Sequence, residues 1–119
     1  MAERAYVEKA LGGKVKLIMW EGLLNGDTGA WYRNIGARYA DKSAHVFGTF
    51  GTGGKLAVQG SNQLENITSN PTLNDAQGNV LEMLTEKIEQ ILENPVNIRP
   101  AVTAGDGTTN LKFYLCITK

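Results

Sequence analysis

A chain of 119 residues, 42% of them hydrophobic, has the length and apolar content for one domain built around one core. Twelve Lys and Arg cancel twelve Asp and Glu, so there is no net basic charge to draw nucleic acid or an anionic membrane. Fourteen glycines exceed the usual ~7% share and indicate a turn-rich β protein, while no apolar run approaches the ~20 residues of a membrane span.

Residues 1–13 mix charges and end in Gly12-Gly13. They read as a short helix or frayed end, or as an arm that orders on a neighbouring subunit, apart from a domain at 14–119. They lack the apolar stretch of a secretory signal, so synthesis in the cytoplasm is expected. Lys14–Trp20 alternates as a strand, and Asn25-Gly26-Asp27 centres a turn. Trp31 and Tyr32 follow in a loop-like stretch, which resumes as a short strand at residues 36–39 before Asp41-Lys42-Ser43 turns the chain into Ala44–Phe50.

The run GTFGTGGKLAVQGSN at Gly48–Asn62 has the ingredients of a phosphate loop. The spacing fails, because Gly54 stands where the lysine belongs, Lys55 comes one position late, and Leu56 replaces the hydroxyl residue. Four residues between glycines also leave no room for the helix such a loop requires. The flanks alternate, and Gly51-Thr52-Gly53-Gly54 has the length and composition of a hairpin loop.

The segment Val80–Glu93 carries a conflict. Leu81, Leu84, Ile88, Ile91 and Leu92 form a helical stripe, with Asn79 and Glu82 as a capping pair and Asn94-Pro95 as a stop. The competing reading is a strand at Val80–Leu84 followed by an extended segment. Val96–Val102 alternates, and Pro100 assigns it to a sheet edge or a bulge. In the closing strand, Leu111, Phe113, Leu115 and Ile117 share one face. Short strands, frequent turns and no βαβ rhythm predict a mainly β, single-domain β-sandwich of jelly-roll-like type with at most one short helix.

No residue set carries catalytic chemistry. His45 is the single histidine and lies in mid-strand, so no serine or cysteine has an evident base. One His and one Cys do not make a structural zinc site, and the Asp27 and Asp106 turns lack the alternating oxygen ligands of a calcium loop. No cofactor is expected. Trp20, Trp31, Tyr32 and Tyr39 would make a sugar-stacking platform if they shared an exposed face. Arg99 is expected to leave the core and pair at the sandwich edge with a carboxylate or with carbonyls.

Four segments taken in order carry a likeness: Trp20–Gly29, Gly48–Asn62, Asn94–Pro100 and Gly105–Thr109. Together they resemble the capsid decoration or cement proteins of tailed bacteriophages, over roughly residues 14–118. The resemblance implies a jelly-roll-like, non-enzymatic virion protein on the outer capsid surface. Its partners would be the major capsid protein and further copies of itself, as a homodimer or homotrimer, with no nucleic acid or membrane. It also implies strand at Val80–Leu84, and a short helix near Glu86–Leu92 reconciles that pattern with the apolar stripe. Trp31 and Tyr32, with residues 1–13, are the expected contacts to neighbouring subunits. A carbohydrate-binding sandwich and a head-completion or tail protein stay open as alternatives.

Overall fold

The computed structural model describes residues 2–33 and 39–119. The strand expected at residues 36–39 falls outside them, apart from Tyr39, which is buried. Ten strands follow in chain order: β1 (Glu3–Arg4), β2 (Tyr6–Gly12), β3 (Val15–Leu24), β4 (Thr28–Gly29), β5 (Asp41–Thr49), β6 (Lys55–Ser61), β7 (Glu82–Met83), β8 (Lys87–Gln90), β9 (Asn97–Ala104) and β10 (Asn110–Thr118). They form two five-stranded sheets, β1-β4-β9-β6-β7 and β2-β3-β10-β5-β8. From β3 onwards the chain passes repeatedly from one sheet to the other, so the expected β-sandwich is the observed fold.

Period-two alternation builds the core. Leu111, Phe113, Leu115 and Ile117 of β10 are all fully buried, as expected. They meet Ile18, Trp20 and Leu23 from β3, Ala44 and Val46 from β5, and Leu56, Val58, Ile98 and Val102 from the facing sheet. The Trp20 and Phe113 rings lie 5.6 Å apart at the centre. Phe113→Ala is expected to cost about 3–5 kcal/mol in a denaturant titration, since the cavity would lie between two sheets that cannot close on it.

Several expectations are corrected. The described part of the arm expected at residues 1–13 is not detached: β1 pairs with β4 in one sheet, and β2 with β3 in the other. Two inward-facing side chains hold β2. The Tyr6 ring packs edge-on against Trp20 and Tyr32, and Glu8 accepts a hydrogen bond from the Tyr32 hydroxyl (2.8 Å) and pairs with Lys16 (3.3 Å). Asp41–Ser43 is strand rather than turn. Lys42 is buried there, and its ammonium donates to the carbonyls of Tyr39 and Ala40 and to the Asn94 side chain.

The helix near Glu86–Leu92 is likewise replaced by strand, β8. Leu81, Met83 and Ile91 enter the core while Leu84, Ile88 and Leu92 remain exposed. The helical stripe therefore does not correspond to one buried face. Gly51–Gly54 is a turn but not a hairpin, because β5 and β6 belong to opposite sheets. Asp106 clamps this crossover by accepting from Thr52 N–H (2.8 Å) and Thr108 N–H (2.8 Å). A Cβ at Gly51 would stand 2.2 Å from the Asp106 carboxylate, and one at Gly54 would stand 2.0 Å from the Phe50 carbonyl. Here the glycines serve close packing at a corner. β9 is an interior strand, yet β4 pairs with it only at Thr28–Ala101, so Pro100 displaces no ladder partner of consequence.

The turn after β3 is held by a buried carboxylate. Asp27 accepts hydrogen bonds from Ala2 N–H (2.9 Å), Arg4 Nε (2.7 Å) and Leu24 N–H (2.9 Å). Burial alone would raise its pKa, but these donors outweigh burial and hold the carboxyl below the ordinary aspartate value. The unfolded chain therefore binds this proton first. The stabilisation is complete above the unfolded pKa and is lost as the pH falls through the folded one. Asp27→Asn should cost about 1–3 kcal/mol at neutral pH, by pointing an amide at groups that can only donate. The gap between parent and variant melting temperatures should narrow in acid.

Candidate functional site

The two predicted contact residues separate. Tyr32 is buried at 8% exposure, and burial together with Glu8 raises its pKa. As an exposed anchor it is therefore corrected, because its ring and hydroxyl are both engaged within the monomer. Trp31 is half-buried, and the Arg99 guanidinium lies 4.5 Å from its ring centroid. Trp20 and Tyr39 are buried as well, so the four aromatics present no common stacking platform.

Arg99 leaves the core as expected, and its partner is a side-chain carbonyl rather than a carboxylate. Its Nε donates to Gln59 Oε1 at 2.8 Å while its plane covers Trp31. Burial pulls its pKa down. A lysine supplies neither the planar stack nor the fixed Nε donor. Arg99→Lys should lower stability by about 1 kcal/mol in a thermal melt, and Gln59→Ala should cost less in that background than in the parent, since only its bond from Asn70 is then left to lose.

Other polar groups are consumed internally. An open cleft of about 580 Å³ lies between Gly60–Gln63 and Glu93–Pro95. Its donors and acceptors hold the protein together: Asn62 accepts from Val96 N–H, Gln63 from Thr68 and Ser69 N–H, and Glu93 from Asn74. Among the described residues, no three His, Cys, Asp or Glu side chains come together as a metal site.

The unusual surface is the outer face of the β2-β3-β10-β5-β8 sheet, which sequence reasoning missed. Register aligns Val7 with Met19, Met19 with Tyr114, Tyr114 with His45 and His45 with Ile88. One row thus crosses all five strands without a formally charged side chain. Its ends are open, with Val7 64% and Ile88 60% exposed. Beside it, Phe47 packs at 4.6 Å from His45 and edge-on at 5.0 Å from Tyr114. Leu17 and Cys116 extend the apolar area along the adjacent row. Charges lie only at its border, among them Lys9, which is registered against Leu17. Glu21 accepts from the Tyr114 hydroxyl, and the Lys112 ammonium lies 5.7 Å from the Phe47 ring. The signal was present in the alternation, because the positions between core residues on β3, β5 and β10 are themselves rich in apolar and aromatic residues.

No family model and no curated protein matches the chain by sequence. Solved structures do match in fold. The SPBc2 prophage-derived protein YomS aligns over 93% of this chain and 100% of its own, with a TM-score of 0.64 and 8% identity. BH2720 from Bacillus halodurans aligns over 97% of this chain and 70% of its own, with a TM-score of 0.51 and 14% identity. A cupin domain from Bordetella pertussis aligns over 100% of this chain and 98% of its own, with a TM-score of 0.49 and 16% identity. At these identities the likeness is one of fold.

Proposed function

We propose that this chain is a virion structural protein of a tailed phage that binds the outer capsid surface and staples neighbouring major capsid subunits without catalysis. The observation that carries the reading is the uncharged, partly aromatic row across the outer sheet face. Solvated faces of antiparallel sheets are ordinarily polar, and an apolar face with charges only at its border suits contact with another protein. The fold likeness to a prophage-derived protein supports the same setting, as do the four ordered segments that resemble decoration proteins. The sheet face replaces Trp31 and Tyr32 as the expected contact. In this reading the protein is made in the host cytoplasm and ends on the virion surface.

Many copies around a shell make strong individual contacts unnecessary, since avidity accumulates once neighbouring subunits are bridged. Particles lacking the protein should assemble but burst at lower temperature, and adding purified protein should restore them. Met19→Lys, next to the centre of the row, should melt near the parent temperature while weakening shell binding about tenfold, as loss of an interface contact does. Equal heat resistance with and without the protein would remove the stapling role. A few copies confined to the portal or tail would place it among head-completion or tail proteins.

A further inference from the structure

The segment that resisted a helical reading leaves an open edge. Among the described residues β8 pairs only with β5; on its other side Leu92 N–H, just past the strand, donates to the Asn74 carbonyl, so the open stretch is Lys87–Gln90. Ile88 lies opposite His45 on the outer face, whereas Lys87 and Glu89 lie opposite the buried Val46 and Ala44, on the inner side. Leu84, Ile88 and Leu92 are 57%, 60% and 53% exposed. Three large apolar side chains at every fourth position thus lie outside the monomer's core.

We propose that β8 is the edge by which two copies of this chain pair antiparallel about a two-fold axis, joining their sheets into one. Residues directly opposite one another in such a pair share a face, so the axis must pass beside a residue and its own copy. Centred on Ile88, the pairing sets Ile88 against Ile88 and Lys87 against Glu89 of the second copy, on both sides of the axis. Centred one residue either way, it would set Lys87 against Lys87 or Glu89 against Glu89, and like charges directly opposite are destabilising. Charge therefore selects one register.

That register has a further consequence. The row Val7–Met19–Tyr114–His45–Ile88 continues without interruption into its own mirror order on the second copy, doubling the apolar face. The pairing is confined to the four residues of β8, because Leu84 lies in the bend before it and Leu92 N–H is taken by the Asn74 carbonyl. Inward-facing charges on a sheet edge ordinarily guard against chance pairing. Lys87 and Glu89 do so against unrelated strands and are satisfied by their own copy, so the edge is closed to most chains and open to one.

Sedimentation equilibrium on the purified chain tests this without any shell, so its outcome is separate from the capsid reading. The parent should be a concentration-dependent dimer, and Ile88→Lys a monomer. Lys87→Glu should weaken the dimer about tenfold, because two symmetric pairs become repulsive, and adding Glu89→Lys should restore it. Amide exchange at Lys87–Gln90 should slow as the parent's concentration rises, a readout that needs no variant. A parent that stays monomeric at its highest soluble concentration would overturn the proposal. So would another stoichiometry, or a dimer indifferent to Ile88→Lys or not restored by the double exchange. Protection of β8 that appears only when shells are added would give the edge to a foreign strand instead, which also overturns it.

Discussion

Burial of one face of β10 is the constraint on which the rest of the molecule depends. Leu111, Phe113, Leu115 and Ile117 are fully buried, and a slip of one residue would turn all four outward. β10 is also the central strand of its sheet, paired along nearly its whole length with both β3 and β5. Its register therefore dictates theirs, and through them that of β2 and β8. What is fixed on the inside is fixed on the outside too. Tyr114, one position from Phe113 and Leu115, must then stand beside Met19 and His45. The core and the outer apolar row are two readings of a single register.

The two sides of the sandwich are closed in the same manner. At one side β1 joins one sheet and β2 the other within ten residues, and at the opposite side β7 and β8 do likewise. The sides differ in how they are secured. The N-terminal side is anchored by the Asp27 carboxylate and the Glu8–Tyr32 hydrogen bond. The 82–90 side is attached through short ladders, Leu56–Met83 and Ala57–Glu82 on one sheet and four pairs to β5 on the other. Both sides leave large apolar side chains at the surface, Val7 and Leu11 on the first and Leu84, Ile88 and Leu92 on the second, but the long-range side-chain anchors lie on the first.

This difference explains what was legible in the sequence. The closing strand, the two-sheet architecture and the absence of a phosphate loop follow from alternation and glycine spacing, signals that act over a few residues. The N-terminal strands were not legible because Glu8 and Arg4 read as solvated charges. Their partners, Tyr32 and Asp27, lie more than twenty residues away. The helical stripe at 81–92 misled for another reason. Periodicity assumes that apolar residues mark one buried face, and here Leu84, Ile88 and Leu92 are exposed. Tyr32 was misplaced by the converse error, since an aromatic between turns reads as surface until Tyr6 and Glu8 are brought against it.

Outward apolar residues have a cost that bears on how such a molecule works. An exposed sheet face and an open edge are both routes to aggregation unless something limits their choice of partner. The face is limited by its composition: half-buried Met19, His45, Phe47 and Tyr114 already pack on one another, so each offers only part of its area. The edge is limited by charge order and by length, since β8 has four residues. Neither surface is suited to a tight, isolated complex. Both are suited to contacts that are individually weak and become lasting when repeated in a fixed geometry. A neutral chain adds to this, because closely spaced copies then meet without long-range repulsion. Register sets both surfaces, and a two-sheet core is the means by which so small a domain keeps them in place.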